Sequence, residues 1–422
     1  MKNIFQEIFD YVKGLTIIDS HEHLPYREDA RRKDTDVIAE YLIHYFSSDL
    51  ISAGLDRKTL DQLRSRDMSI MEKWDMVEHY WNICRYTGYG RALDISVKGL
   101  YGINKISRDT IEELDDAFQK SLNPGHFKRV LKDMSKIEVS LLDQCLDCDP
   151  DFFRSVYRLD SFIYPRSFED IKEVEKVHGV NIRSMDDWLE ACESSLDEGL
   201  RKGAVALKSG IAYDRSLRFE KTTLSEARSS FNQIYMTPEN QDWNPYPNYP
   251  GEAFHNYMMH YILKLANSRG LIYQFHTGLQ EGNGNIIYNS DPSLLSNLFL
   301  EYPDVQFDLF HIGYPYQHVL SALAKNFPNV YIDMCWAHII SPQASVDALR
   351  EWIDSVPLNK ITAFGGDYLF VDAVYGHQYI ARENVSRSLT YKVEEGVFDT
   401  AEAKQIAKML FYDNPKRIFK LS

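Results

Sequence analysis

IIDSHEHLPYRE, residues 17–28, decides how the rest of the chain is read. Leu15, Ile17 and Ile18 make a short apolar run, and Asp19, His21, Glu22 and His23 stand where it gives out. In a β-strand, residues i and i+2 point to the same face. His21 and His23 therefore share a face, with Glu22 turned away from it. One HxH pair says little alone, so the question is whether other strands bring matching groups to the same end.

Apolar runs rich in Val, Ile, Tyr and Phe recur at 136–143 (KIEVSLLD), 158–165 (RLDSFIYP), 204–210 (AVALKSG), 271–278 (LIYQFHTG), 305–313 (VQFDLFHIG), 330–337 (VYIDMCWA) and 361–368 (ITAFGGDY). With 15–21 they make eight strands. Most are nearly continuous in apolar residues, as strands covered on both faces are. Helical patterns lie between many of them: WLEACESSLDEGLRKG before the fourth, FHNYMMHYILKLANSRG before the fifth and VLSALAKNFPN after the sixth. Alternating strand and helix gives an α/β protein with a parallel sheet, and eight units give a (β/α)8 TIM barrel.

Residues 3–13 read as an amphipathic helix stopped by Gly14. The stretch 24–135 is far too long for one unit and carries helical patterns such as DTDVIAEYLIHYF and IMEKWDMVEHYWNICRYTG. It is read as a helical insertion after strand 1, inside one domain spanning 1–422. A second long connection, 214–250, runs into the turn-rich NPYPNYPGE. Both leave the C-terminal ends of strands, where barrel active sites are built.

Those ends carry the chemistry. The first strand gives His21 and His23, the fourth Lys208, the fifth His276, the sixth His311 and the eighth Asp367. Two imidazoles on one face can grip one ion, and an imidazole and a carboxylate from across the barrel can complete its shell. Nitrogen and oxygen ligands with an open position suit catalytic Zn²⁺, with Mn²⁺, Fe²⁺ and Ni²⁺ compatible.

This set, in this strand order, resembles the amidohydrolase superfamily of metal-dependent hydrolases. More narrowly it is similar to the amidohydrolase 2 branch, which includes decarboxylases, lactonases and relatives of uronate isomerase. The resemblance covers 15–23 and 136–422, with DNPKRIFKL as the closing helix. The segment 24–135 sits where uronate isomerases carry a helical insertion, although this chain lacks their RHTR-type signature. The resemblance implies that His21, His23, His276 and Asp367 surround the metal, and that Asp367 takes a proton from activated water. It makes His311 either a ligand of a second ion or a neighbour that polarises substrate. Metal binding lowers the pKa of water to about 7, and a carboxylate alongside can collect and return the proton.

Lys208 stays open. It is a carboxylated bridge between two ions, an ammonium that binds a substrate carboxylate, or a strand-end salt bridge with Asp367 or Asp333. Carboxylation needs a neutral amine, which burial favours. The KSxxAY pattern at 208–213 also resembles amidohydrolase domains fused to glutamine synthetase.

The chain of 422 residues carries a net charge of −15 without a basic block, which argues against a nucleic-acid partner. An anionic substrate then needs specific cations. Arg166 and Arg215, with Tyr213, are the substrate-binding candidates, and Arg382 is a further basic residue near the mouth. No apolar run of membrane-spanning length appears and the N-terminus lacks a signal-peptide pattern, so a cytoplasmic protein without a membrane partner is expected. A homo-oligomer is compatible with the fold. Cys145 and Cys148 form a lone CxxC and are read as ordinary cysteines. EGNGN (281–285) is read as a flap, and His44, His79, His126, His178, His255, His260 and His318 as non-catalytic. The expected function is a metal-dependent hydrolase that cleaves an amide, ester or lactone of a small carboxylated compound. The alternatives are a uronate isomerase-like enzyme or decarboxylase on the same site, or a catalytically silent scaffold.

Overall fold

Eight short strands pair in parallel, each with its neighbour in sequence: β1 (Ile17–Glu22), β2 (Ile137–Asp143), β3 (Phe153–Arg158), β4 (Ala206–Ser209), β5 (Ile272–Phe275), β6 (Gln306–Leu309), β7 (Val330–Asp333) and β8 (Ile361–Thr362). The computed structural model describes residues 4–240 and 251–421, so NPYPNYP of the second long connection lies outside the described residues. β8 is only two residues long, yet the ring closes beyond it. Ser20 N donates to Phe364 O at 3.0 Å and Asp367 N to His21 O at 2.9 Å. This is the expected (β/α)8 barrel.

Its helices start and stop where the sequence signals them. Ser184 caps Met185–Arg201 through a capping box with Asp187. Gly270, at φ +60°, ends Glu252–Arg269 in the left-handed conformation that glycine adopts without strain.

The third strand is a correction. It runs Phe153–Arg158, and the run placed at 158–165 instead holds a short helix, Asp160–Ile163. FRSVYR carries two arginines and a serine, which hid it from a search for continuous apolar runs, whereas SFIY met that criterion just before Pro165.

The insertion is helical, from Val37–Tyr41 through Ile70–Cys84 and Gly88–Tyr101 to Lys128–Met134. Its Leu50, Trp74, Trp81 and Leu93 belong to the same hydrophobic core as Ile17, Phe275 and Ile332 of the strands. Helix Gly88–Tyr101 packs on Val371–Glu394 so closely that a Cβ at Gly376 would overlap Ala92 O. A buried carboxylate ties the two parts. Asp372 accepts from Tyr41 OH at 3.0 Å, Tyr101 OH at 2.6 Å and His126 Nε2 at 2.7 Å. Among the described residues no helix is long and apolar enough to cross a membrane.

Candidate metal centre

β1 delivers the HxH pair as the i, i+2 argument requires. His21 Nε2 and His23 Nε2 lie 3.2 Å apart. From the far side of the closure Asp367 Oδ1 comes to 3.4 Å from His21 Nε2 and 3.2 Å from His23 Nε2. β5 and β6 add a second pair, His276 Nδ1 and His311 Nε2, 2.9 Å apart. Asp367 links the two, since its Oδ2 is 3.9 Å from His311 Nε2. The five residues that the sequence placed at four strand ends therefore come together.

The donor set fits a cation. His276 Nε2 lies 2.8 Å from Leu279 O and His311 Nδ1 lies 3.1 Å from Cys335 O. A carbonyl only accepts, so those two nitrogens carry the ring hydrogens. The nitrogens facing each other are then both bare in the neutral rings, and two lone pairs at this distance repel unless a cation sits among them. Burial keeps the rings neutral. It pushes His21 and His276 well below the usual histidine value and His311 to about 4, and metal ligands must be deprotonated. Burial also pushes the Asp367 carboxyl up, but the hydrogen bond with His23 and the surrounding imidazoles outweigh it and hold the carboxyl well below its usual range.

Asp367 stands in a backbone conformation that side chains avoid, φ +58°, at a cost of about 1–3 kcal/mol. Tyr45 OH, from the insertion, donates to Asp367 O at 2.6 Å and helps to hold it there. Lys208 lies on the floor of the cluster, its Nζ 3.1 Å from His21 Nε2 and 4.4 Å from the centre of the Phe310 ring. Burial pushes its pKa down, in the direction that carboxylation would need.

Three sequence candidates for substrate binding fare differently. Tyr213 stands at the rim, 4.7 Å from the His276 ring, and its hydroxyl accepts from Glu281 N at 2.9 Å. Arg166 pairs with Asp170 at 3.8 Å away from the cluster. Arg215 is buried on Phe219 and donates through Nε to Ser216 O and through Nη2 to Arg218 O and Asn256 Oδ1, which ties it to its own loop and to the helix Glu252–Arg269, while its Nη1 is buried without a hydrogen-bond partner. Arg382 is likewise internal, bonded to Val12, Leu15 and Ser135 carbonyls. Cys145 and Cys148 belong to neither of the ligand groups found among the described residues.

The structure also brings in residues that the sequence reading passed over. Asp143, at the end of β2, comes within 3.9 Å of His21 and 3.8 Å of His23, and it forms an ion pair with Arg158 at the end of β3. A carboxylate closing the run EVSLLD was the available signal for Asp143, while the misplaced third strand concealed Arg158. Cys335 lies beside His311 and Asp367. From the insertion, His44 is buried against Tyr45 and Tyr368, where burial lowers its pKa to about 3. Tyr45 stacks on Trp336 at 4.5 Å.

A parallel barrel whose strand ends gather four histidines and two carboxylates has the donor types of a metal site. The amidohydrolase family profile matches residues 196–421, more than half of the chain, and the chain belongs to that family. Members of this superfamily bind divalent metals, and the cluster above is the candidate ligand group. The protein fluG of Emericella nidulans is 29% identical over 150 residues, 35% of this chain but only 17% of fluG. Uronate isomerase of Thermotoga neapolitana is 23% identical over a 464-residue alignment covering 98% of this chain and 96% of the isomerase. The crystal structure of uronate isomerase from Thermotoga maritima superposes with a TM-score of 0.82 at 18% identity, covering 99% of this chain and 97% of that one. Glucuronate isomerase from Caulobacter crescentus gives 0.79 at 20% identity, with 99% and 94% covered.

These relatives overturn the expectation of hydrolysis. The curated proteins that align along nearly the whole chain are isomerases. The strand-end residues could not make that distinction, because the same histidines and carboxylate serve either reaction.

Proposed function

We propose that this chain is a metal-dependent isomerase of a small sugar acid, of the uronate isomerase type. The observation that carries the reading is the reach of the isomerase alignment, 98% of the chain, insertion included. The insertion supports it physically, since Tyr45 and His44 from that segment wall the cluster.

His21, His23 and Asp367, with His276 and His311 alongside, would hold one divalent cation or two. A bound cation would polarise a carbonyl and the neighbouring hydroxyl of the sugar. The rest is proton management by the chain. Isomerisation moves one hydrogen from the hydroxyl-bearing carbon to the carbonyl carbon, and one from the hydroxyl to the former carbonyl oxygen. Asp367, held ionised, is the base at the cluster. His311 is held neutral with its hydrogen on Nδ1, so its Nε2 would either help to hold a second cation or, if only one is bound, take up and return a proton beside Asp367. Beside the buried Lys208, Arg158 is a second cation at this end of the barrel, paired with Asp143 and with its side chain 21% exposed. It offsets the charge of an anionic substrate in place of Arg166 and Arg215, and Tyr213 borders the entrance.

The test is a panel of hexuronates offered to the metal-loaded protein, with products analysed by mass and ¹³C NMR. The reading predicts a keto isomer of unchanged mass from at least one uronate. Cleavage of an ester, lactone or amide with no turnover of any uronate would overturn it.

A further inference from the structure

Two acids of this stretch, Asp19 two residues before His21 and Glu22 between the two histidines, take no part in the cluster and are fully buried. Their hydrogen bonds show what they hold. Past β8 the backbone pairing with β1 is sparse, Ser20 N donating to Phe364 O at 3.0 Å and His23 N to Tyr368 O at 3.3 Å, and the register of β1 against β2 shifts between Asp19 and Glu22. Three successive amides of the loop 366–368 nonetheless find acceptors on β1. Gly366 N donates to Asp19 Oδ1 at 3.0 Å, Asp367 N to His21 O at 2.9 Å and Tyr368 N to Glu22 Oε2 at 2.8 Å. Asp19 Oδ1 also accepts from His21 N at 3.2 Å, and its Oδ2 from Ser140 Oγ at 2.9 Å. Glu22 packs so tightly that a Cβ at Gly366 would overlap its Oε1. His377 Nδ1, bonded to Gly366 O at 3.0 Å, pins the loop from behind.

We infer that Asp19 and Glu22 are positioning residues: their carboxyl oxygens replace the missing strand carbonyls on either side of Asp367 and hold it in its left-handed conformation, with its carboxylate aimed at His21 and His23. One short strand thereby carries two ligands and fixes the placement of a third. Apolar residues at 19 and 22 would leave the buried Gly366 and Tyr368 amides without these acceptors. The inference rests on the proposed metal cluster, and its test separates the two.

Zn²⁺ and Co²⁺ affinities are measured by competition with a chromophoric chelator for the wild type, Glu22→Gln and Glu22→Leu, alongside the visible spectrum of the Co²⁺ forms. Leucine matches the bulk of glutamate without an acceptor, whereas glutamine keeps an oxygen for the Tyr368 amide. Residues that orient a ligand change metal affinity by about 10- to 100-fold. Glu22→Leu is therefore expected to lose at least about tenfold and to alter the Co²⁺ spectrum, and Glu22→Gln to stay within about threefold of wild type. Wild-type affinity from Glu22→Leu, or a loss in Glu22→Gln as large as in Glu22→Leu, overturns the inference. Should Glu22→Leu not fold, Glu22→Ala, which also removes the acceptor, takes its place: a loss of about tenfold there with retained affinity in Glu22→Gln upholds the inference, and wild-type affinity in Glu22→Ala or a loss of about tenfold in Glu22→Gln overturns it. A wild type that binds neither ion sinks the metal cluster itself instead.

Discussion

Tyr45→Phe removes one atom from the contact between the insertion and Asp367. The ring should keep its place, since it stacks on Trp336 at 4.5 Å and on Tyr89 at 5.2 Å with planes nearly parallel. What is lost is the 2.6 Å hydrogen bond to Asp367 O, at a site where the tyrosine is 2% exposed and water has little access. A buried carbonyl left without its donor costs about 1–3 kcal/mol. Tyr45→Ala removes the stacked ring as well, and truncating a buried aromatic costs about 3–5 kcal/mol. Urea unfolding of the metal-free protein, followed by tryptophan fluorescence, should place the two variants in that order with unchanged m-values. Turnover should fall in both, because the strained backbone of Asp367 loses a restraint. A Tyr45→Phe variant as stable as wild type would refute the reasoning, and so would one as damaged as Tyr45→Ala.

Asp367→Asn keeps the loop but removes the anionic ligand, so metal content per chain and turnover should both collapse while the metal-free protein stays folded by circular dichroism; full metal content would remove Asp367 from the ligand set. Arg158→Gln is expected to raise KM for an anionic substrate by about tenfold or more, as loss of a charged hydrogen bond would, with a smaller effect on kcat; an unchanged KM would show that the substrate charge is met elsewhere. Burial holds His255 near pKa 3, its Nε2 bonded to Pro165 O at 2.9 Å. The folded pKa is depressed, so the contribution of this ring is complete above its unfolded pKa of about 6.5 and is lost as pH falls toward about 3. The advantage of wild type over His255→Gln in urea unfolding should therefore shrink by on the order of 3 kcal/mol between pH 7.5 and pH 4.5, and a constant difference would contradict it.

Much of this architecture was legible in the sequence because a barrel strand covered on both faces is apolar almost throughout, and its last residues are where polarity returns. His21, His23, His276, His311 and Asp367 each follow such a run, so strand ends alone assembled the cluster. β3 was not legible because its buried face is partly polar. FRSVYR spends Arg158 on Asp143 and Tyr157 on Ser195, pairings that exist only once the chain is folded. Arg215 and Arg382 illustrate the converse. An arginine near a strand end has the same appearance whether it awaits a substrate or satisfies buried carbonyls, and here both do the latter. The insertion was legible as helices but not as part of the site, since the approach of Tyr45 to Asp367 spans 322 residues of sequence.

The cluster of His21, His23, His276, His311 and Asp367 is expected to isomerise a sugar acid only when it holds a divalent metal. The most direct measurement follows a hexuronate by ¹³C NMR with three preparations: protein stripped by a chelator, the same protein reloaded with Zn²⁺ or Mn²⁺, and the reloaded His23→Ala variant. The account predicts the keto isomer in the reloaded wild type and in neither of the others. Equal turnover by the stripped protein, or by reloaded His23→Ala, would contradict it.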